Sequence, residues 1–373
     1  MMKGDQPSEP ARVVDGDVSG GRAPDEARVA WVDAAKAVSI LLVVAWHTNS
    51  RHTGVASLLI FVPMPLFFFI SGFFARDALK RPPSDLRGNE GLRLLYLYAL
   101  WAAVTFLLVA APRAVLAGTE IPWDRLLLMF VRPFDTLWFT YALAITFFLA
   151  QIFSRAPLRL TGAMLAALYA ASVADGAWFR LSFSDRVVRL MPFFFLGVLG
   201  FPWLKGAVPR WRNWWPLFAA AYLALAWGVT RAGLTWAAPL TFAASLVGIA
   251  AMLTGAAALQ RIPGVSRPLT ILGASTLGVY LLHRIALFYW RLFQEAIDMP
   301  ERLRGPVSGV AVIALSLVLG AAILRYAPWM FGAPWRRREA RRQAVQQRDG
   351  AGAPPFTAPP SCNSDPAREP GLA

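Results

Sequence analysis

Apolar residues in this chain fall in repeated blocks of about 17–22, each long enough to cross a ~30 Å hydrocarbon core as a helix. A backbone in lipid must satisfy its own hydrogen bonds, so only helices or a closed barrel can span. A barrel would alternate apolar and polar residues over strands of ~10 residues, and the block 94–111 does not alternate. Composition agrees with helices in lipid: 57% of residues are hydrophobic and 16% charged, where globular domains are nearer half and a quarter. The expected fold class is therefore all-α, a polytopic membrane protein with about ten transmembrane helices.

The ten expected spans are 31–50, 55–75, 94–111, 137–153, 160–177, 187–204, 214–230, 238–258, 269–290 and 306–324. Residues 1–29 are polar and lack an apolar h-region, so the first span itself is expected to act as insertion signal. They form a disordered segment ahead of a membrane domain over 30–325. Residues 326–373 read as a basic, then disordered, cytoplasmic tail. Arg76, Lys80, Arg81, Arg87 and Arg93 put the loop after the second span in the cytoplasm, and the cluster Arg336, Arg337, Arg338, Arg341 and Arg342 puts the C-terminus there too. Both termini are then cytoplasmic, in a bacterial-type inner membrane.

The net charge of +15 raises the question of nucleic acid. The basic residues, however, are scattered over loop-length intervals or follow the last span directly, where they meet anionic lipid. The lipid bilayer is the expected partner, and nucleic acid is not. One cysteine, Cys362, and three histidines provide no zinc-type ligand spacing, so no metal is expected.

Ten residues separate Lys36 from His47 inside the first span. At ~100° per residue His47 returns to within about 20° of the Lys36 face, about 16 Å along the axis, and Asp33 lies about 40° from the same stripe. Lys or Asp at the centre of an inserting helix costs roughly 2.5–3.5 kcal/mol, so three ionisable groups on one face imply an enclosed or wet cavity. Plainer explanations exist for each group. Lys36 can snorkel to the nearby boundary, Asp33 can pair with it across one turn, and His47 can be structural at its helix end.

Other residues are candidates with structural alternatives of their own. His283, in Tyr280-Leu281-Leu282-His283, either serves chemistry or hydrogen-bonds a neighbouring helix. Ser71-Gly72 ends an aromatic run and would let two helices approach closely; no nucleophile elbow surrounds Ser71. Trp138 belongs to an aromatic belt at the start of a span. Pro63 and Pro65 are expected to kink or break the second span, and such breaks are tolerated where they line a cavity. Residues 121–136 are too polar to span and too apolar to be free, which suggests an interfacial or re-entrant segment.

These residues resemble a known family. Arg28-Val29-Ala30-Trp31-Val32-Asp33-Ala34-Ala35-Lys36 followed by Ile40 to His47 is similar to the first span of the membrane acyltransferase-3 family, which carries Arg or Lys, ten residues, then His. Asp-x-x-Lys before the His, with Met64-Pro65-Leu66-Phe67-Phe68-Phe69-Ile70-Ser71-Gly72, resembles the fucose 4-O-acetylase-like branch. Leu137-Trp138-Phe139, Met191-Pro192-Phe193-Phe194-Phe195-Leu196-Gly197 and Tyr280 to His283 follow in the family's order, so the likeness runs over about 28–325. One feature departs: the Arg-x-x-Arg pair of many members after the Ser-Gly segment is missing. Arg87 and Arg93 are too far apart, and Arg186-x-x-Arg189 stands before a later span.

The resemblance implies transfer of an acyl group, usually acetyl, from cytoplasmic acyl-coenzyme A to a hydroxyl of a sugar or cell-surface glycan. No prosthetic cofactor is implied; acyl-coenzyme A, with acetyl-coenzyme A the usual donor, is a substrate. His47 would be the base, Lys36 would bind donor phosphate or stabilise oxyanion charge, and Asp33 would hold Lys36. His283, Ser71 and Trp138 would line the substrates. A transporter or flippase of a lipid-linked or sugar substrate is the competing class, since it also needs buried charge and broken helices. Such proteins often repeat internally, and the first-span pattern has no second copy here.

Overall fold

The computed structural model describes residues 29–48, 61–79, 89–153, 155, 157–174, 183–234 and 238–334. The expected disorder of the polar N-terminal segment and most of the tail, with its arginine cluster, lies outside the described residues. Every regular element among the described residues is helical. In chain order these are α1 (Ala30–Thr48), α2 (Pro63–Leu79), α3 (Glu90–Leu116), α4 (Trp123–Leu127), α5 (Trp138–Phe153) and α6 (Leu158–Ala174). They continue with α7 (Phe183–Trp211), α8 (Trp215–Arg231), α9 (Ala238–Leu259), α10 (Ser266–Ala274), α11 (Thr276–Ala296) and α12 (Glu301–Tyr326).

Each of the ten expected spans thus contains helix, but length and apolarity single out fewer. Five helical runs are long and apolar enough to cross a membrane, and a sixth is gained if α10 and α11, bent by 75°, count as one broken span. One of the five, Arg186–Arg231, has 46 residues. At 1.5 Å per residue it would measure about 69 Å, twice the hydrocarbon thickness. A 3-10 turn at Arg212–Trp214 divides it into α7 and α8. The segments Pro63–Arg76 and Trp138–Phe153 are apolar but shorter.

The first helix forms the hub. It packs against α2, α9, α10, α11 and α12, and Ala34, Ala35 and Ala37, all fully buried, let those neighbours close in. Small residues at helix contacts matter in lipid, where packing rather than a hydrophobic force holds helices together. Specific contacts give the directions. Ser39 Oγ donates to the Pro63 carbonyl while Trp31 meets Phe73, so α2 runs antiparallel to α1. Asp33 lies against Gly273 and His47 against His283, so the α10–α11 pair runs parallel to it.

Among the described residues Pro63 and Pro65 mark the start of a helix, so of the two expected outcomes, kink or break, neither lies inside α2 beyond its first turn. They occupy the first turn of α2, where the missing N–H costs nothing and the fixed φ suits the start of a helix. Because Pro63 meets Ser39, midway along α1, the helix begins deep in the bundle. The expected straight span over 269–290 is likewise broken at Ser275.

Glycine sets the closest crossing. A Cβ on Gly72 would overlap the Phe194 carbonyl, and one on Gly197 would overlap the Phe69 carbonyl. Each glycine thus receives the carbonyl three residues before the other, joining the two aromatic runs of the sequence. Ser71-Gly72 does bring two helices together, through Gly72.

The segment between α3 and α5 lies at the surface, with Trp123, Leu127 and Val131 exposed, as an interfacial stretch would be. Tyr98 pins it by donating to the Met129 carbonyl at 2.5 Å and accepting from the Phe134 amide. After α12 the chain folds back on α3. The Trp101 indole donates to the Met330 carbonyl, and Phe331 stacks on Trp101.

Candidate active site

Two groups of polar residues mark opposite ends of α1. At the first, Lys36 Nζ lies 2.6 Å from Asp33 Oδ1, with the aspartate nearly buried and the lysine about one-fifth exposed. The helix produces this pair directly, because residues three apart share a face. The Phe74 ring lies beneath the ammonium at 5.5 Å. Gly273 has no side chain to hold α10 away from Asp33. Gln260 closes this end by donating to the Ala30 carbonyl and to Thr270 Oγ1.

At the second end the His47 and His283 rings lie 5.3 Å apart, inclined at 37°. His47 is partly buried and His283 fully so. His283 Nδ1 lies 2.6 Å from the Tyr280 carbonyl. A carbonyl only accepts, so Nδ1 carries the proton and Nε2 of the neutral ring carries the lone pair. That Nε2 is buried without a hydrogen-bond partner among the described residues. It offers an acceptor to whatever enters the site.

Helix termini and aromatics hold this pair. Tyr280 Oη donates to the Thr136 carbonyl at 2.5 Å, tying α11 to the turn before α5. Phe139 packs edge-on to Tyr280 and to Phe68, which joins α5, α11 and α2 behind the histidines. Arg291 Nη2 donates to the His47 carbonyl at 3.2 Å, one of the carbonyls the end of α1 leaves open.

The expected stripe is therefore two sites. Lys36 and His47 face the same way, yet about 16 Å of helix separates them. The structure joins Asp33 to Lys36 and His47 to His283, but not the two pairs to each other. Trp138 opens α5 at the His47 end, partly buried, with the Arg186 guanidinium 5.1 Å over its ring. Ser71 lies elsewhere: its neighbours Phe73 and Phe74 meet Trp31 and Lys36, so it belongs to the Asp33–Lys36 end.

Sequence reasoning missed the arginines beside His47. Arg113, Arg284 and Arg291 are not among the candidate residues named from the sequence. In the structure Arg113, at the far end of α3, lies over the Phe288 ring, and both Arg113 and Arg284 act electrostatically on Arg291. The signal available was the spacing Arg284, Phe288, Arg291, which puts all three on one face of a helix.

A family model described as an acyltransferase domain, that of the acyltransferase-3 family, matches residues 29–325. No curated protein and no solved structure gives a significant match. The matched region takes in both polar ends of α1 and every helix that packs on them, and on that match the chain belongs to the acyltransferase-3 family of membrane acyltransferases.

Proposed function

We propose that this protein is an inner-membrane O-acyltransferase that moves an acyl group, usually acetyl, from cytoplasmic acyl-coenzyme A to a hydroxyl of a sugar or cell-surface glycan. The observation that carries this reading is the His47–His283 pair, His283 buried and His47 partly so, at one end of a helix whose other end holds a lysine. The donor's phosphates bind at Lys36, which Asp33 fixes in place, and the pantetheine arm lies along α1 with its thioester at His47. His47 takes the proton of the acceptor hydroxyl as its oxygen attacks the thioester carbonyl. The C–S bond breaks, the ester C–O bond forms, and the proton passes to the departing thiolate. His283 Nε2 accepts a hydrogen bond from the imidazolium formed on His47 or from the hydroxyl itself. Trp138 offers an aromatic face to the sugar. Ser71 lines the donor's path near Lys36.

Ten spans with both termini in the cytoplasm remain our reading of the topology. It is supported by the helix directions, since α2 opposes α1 and the α10–α11 pair follows it, as alternate crossings require. The test is glycan mass spectrometry of cells with and without the protein, paired with coenzyme A release by purified protein supplied with acetyl-coenzyme A and the modified glycan. An acyl mass difference and acceptor-dependent thiol release are expected. A flippase would redistribute its substrate and release no thiol, which would overturn the reading.

A further inference from the structure

Arg284, Phe288 and Arg291 recur at steps of four and three on α11, so they lie within about 60° of one another, with the two arginines about 10 Å apart along the axis. Arg113, from α3, has its guanidinium 5.6 Å from the Phe288 ring centroid. Arg113 from α3 and Arg291 from α11 thus form a short ladder, and Arg291 joins it to His47 through the His47 carbonyl. Arg113 and Arg284 both repel Arg291; Glu295 opposes them from the next turn. Among the described residues neither Arg113 nor Arg291 is within ion-pair distance of a carboxylate. Both are exposed, so both are open to an anion that approaches His47.

The helix that carries Arg113 is built for this approach. Residues Phe106–Ala110 of α3 form a π turn that packs against α11. Such a turn contains an extra residue and re-aims every side chain after it, and π turns concentrate at functional sites. Arg113 follows three residues later.

We infer that the acceptor carries an anionic group, a phosphate or a carboxylate, near the hydroxyl that is acylated, and that Arg113 and Arg291 bind that group beside His47. This rests on the acyltransferase reading and gives it a substrate class. Arginine suits the task because its planar fork pairs two oxygens of one anion at once. The ladder lies at the end of α1 opposite Lys36, so donor phosphates and acceptor anion occupy different ends of the bundle.

The test uses the full chain in phosphatidylcholine nanodiscs, with saturating coenzyme A to occupy the donor end and inorganic pyrophosphate or glucuronate as probe. Wild-type protein should bind at least one of the two probes, and Arg113→Gln and Arg291→Gln should each weaken that binding at least about tenfold. Arg231→Gln is the matched control, since Arg231 also lies over a ring, that of Trp227, away from this ladder; it should bind as wild type. Three results overturn the inference. Probe binding unaffected by both variants removes the ladder from it. Probe binding abolished by coenzyme A assigns the arginines to the donor. Thermal stabilisation by added phosphatidylglycerol, with none from either probe, assigns them to lipid headgroups. Coenzyme A binding is measured separately, so a protein that binds pyrophosphate but not coenzyme A refutes the acyltransferase reading alone.

Discussion

The His47 and His283 rings, brought from the first helix and from α11, lie 5.3 Å apart, and the Tyr280 carbonyl leaves His283 with its lone pair on a buried Nε2. This gives the two nitrogens of His283 separable roles. His283→Asn places an amide N–H near the position of Nδ1 and removes Nε2. It should insert and purify like wild type while acyl transfer falls by about 10- to 100-fold, the range expected for loss of a buried hydrogen bond to a charged group. Full activity in well-folded His283→Asn would show that Nε2 takes no part.

The Asp33–Lys36 pair predicts a different kinetic signature. Lys36→Ala should raise KM for acyl-coenzyme A by about tenfold or more, because charge-assisted hydrogen bonds contribute about 1.5–3 kcal/mol. Lys36→Arg keeps the charge and should retain partial activity. Steady-state kinetics with the donor varied will check this. Equal loss of kcat with KM unchanged would place Lys36 in the chemistry rather than in donor binding.

Gly72 and Gly197 should be intolerant of any side chain. Gly72→Ala forces a methyl against the Phe194 backbone, and overpacking of this kind costs typically about 1–3 kcal/mol. The corresponding change at Gly206, which has open space around it, should be nearly neutral. Thermal unfolding in detergent compares the two directly.

Topology gives a prediction independent of catalysis. A reporter fused after Arg342 should behave as cytoplasmic, and one fused at Gly118, which lies just past the end of α3, as external. The same signal from both fusions would mean an odd number of membrane crossings had been miscounted between them.

How much of this was legible in the sequence depends on range. The helical class follows from block length, and the Asp33–Lys36 pair from a three-residue step on one helix. Helix position near Pro63 was harder, because a proline that starts a helix and one that breaks a helix look alike until the neighbours are known. Ser39, across the bundle, is what locates Pro63 at mid-depth. The stripe gave the shared face of Lys36 and His47 and the about 16 Å between them, but not the residues that other helices bring to each end. His283 was recognised as a candidate, but its pairing with His47 depends on how α11 packs against α1. Arg113 was out of reach for the same reason: the π turn that aims it leaves no composition signal.

His47→Gln tests the central claim most directly. Glutamine keeps polarity and hydrogen bonding at the end of α1 but cannot take a proton from an alcohol near neutral pH. Coenzyme A release by purified protein, normalised to folded enzyme, is the measurement. The account predicts normal insertion and a fall in acyl transfer of at least ~10², within the range that a proton-transfer group contributes. Specific activity close to wild type would contradict it, and the His47–His283 pair would then be a structural contact.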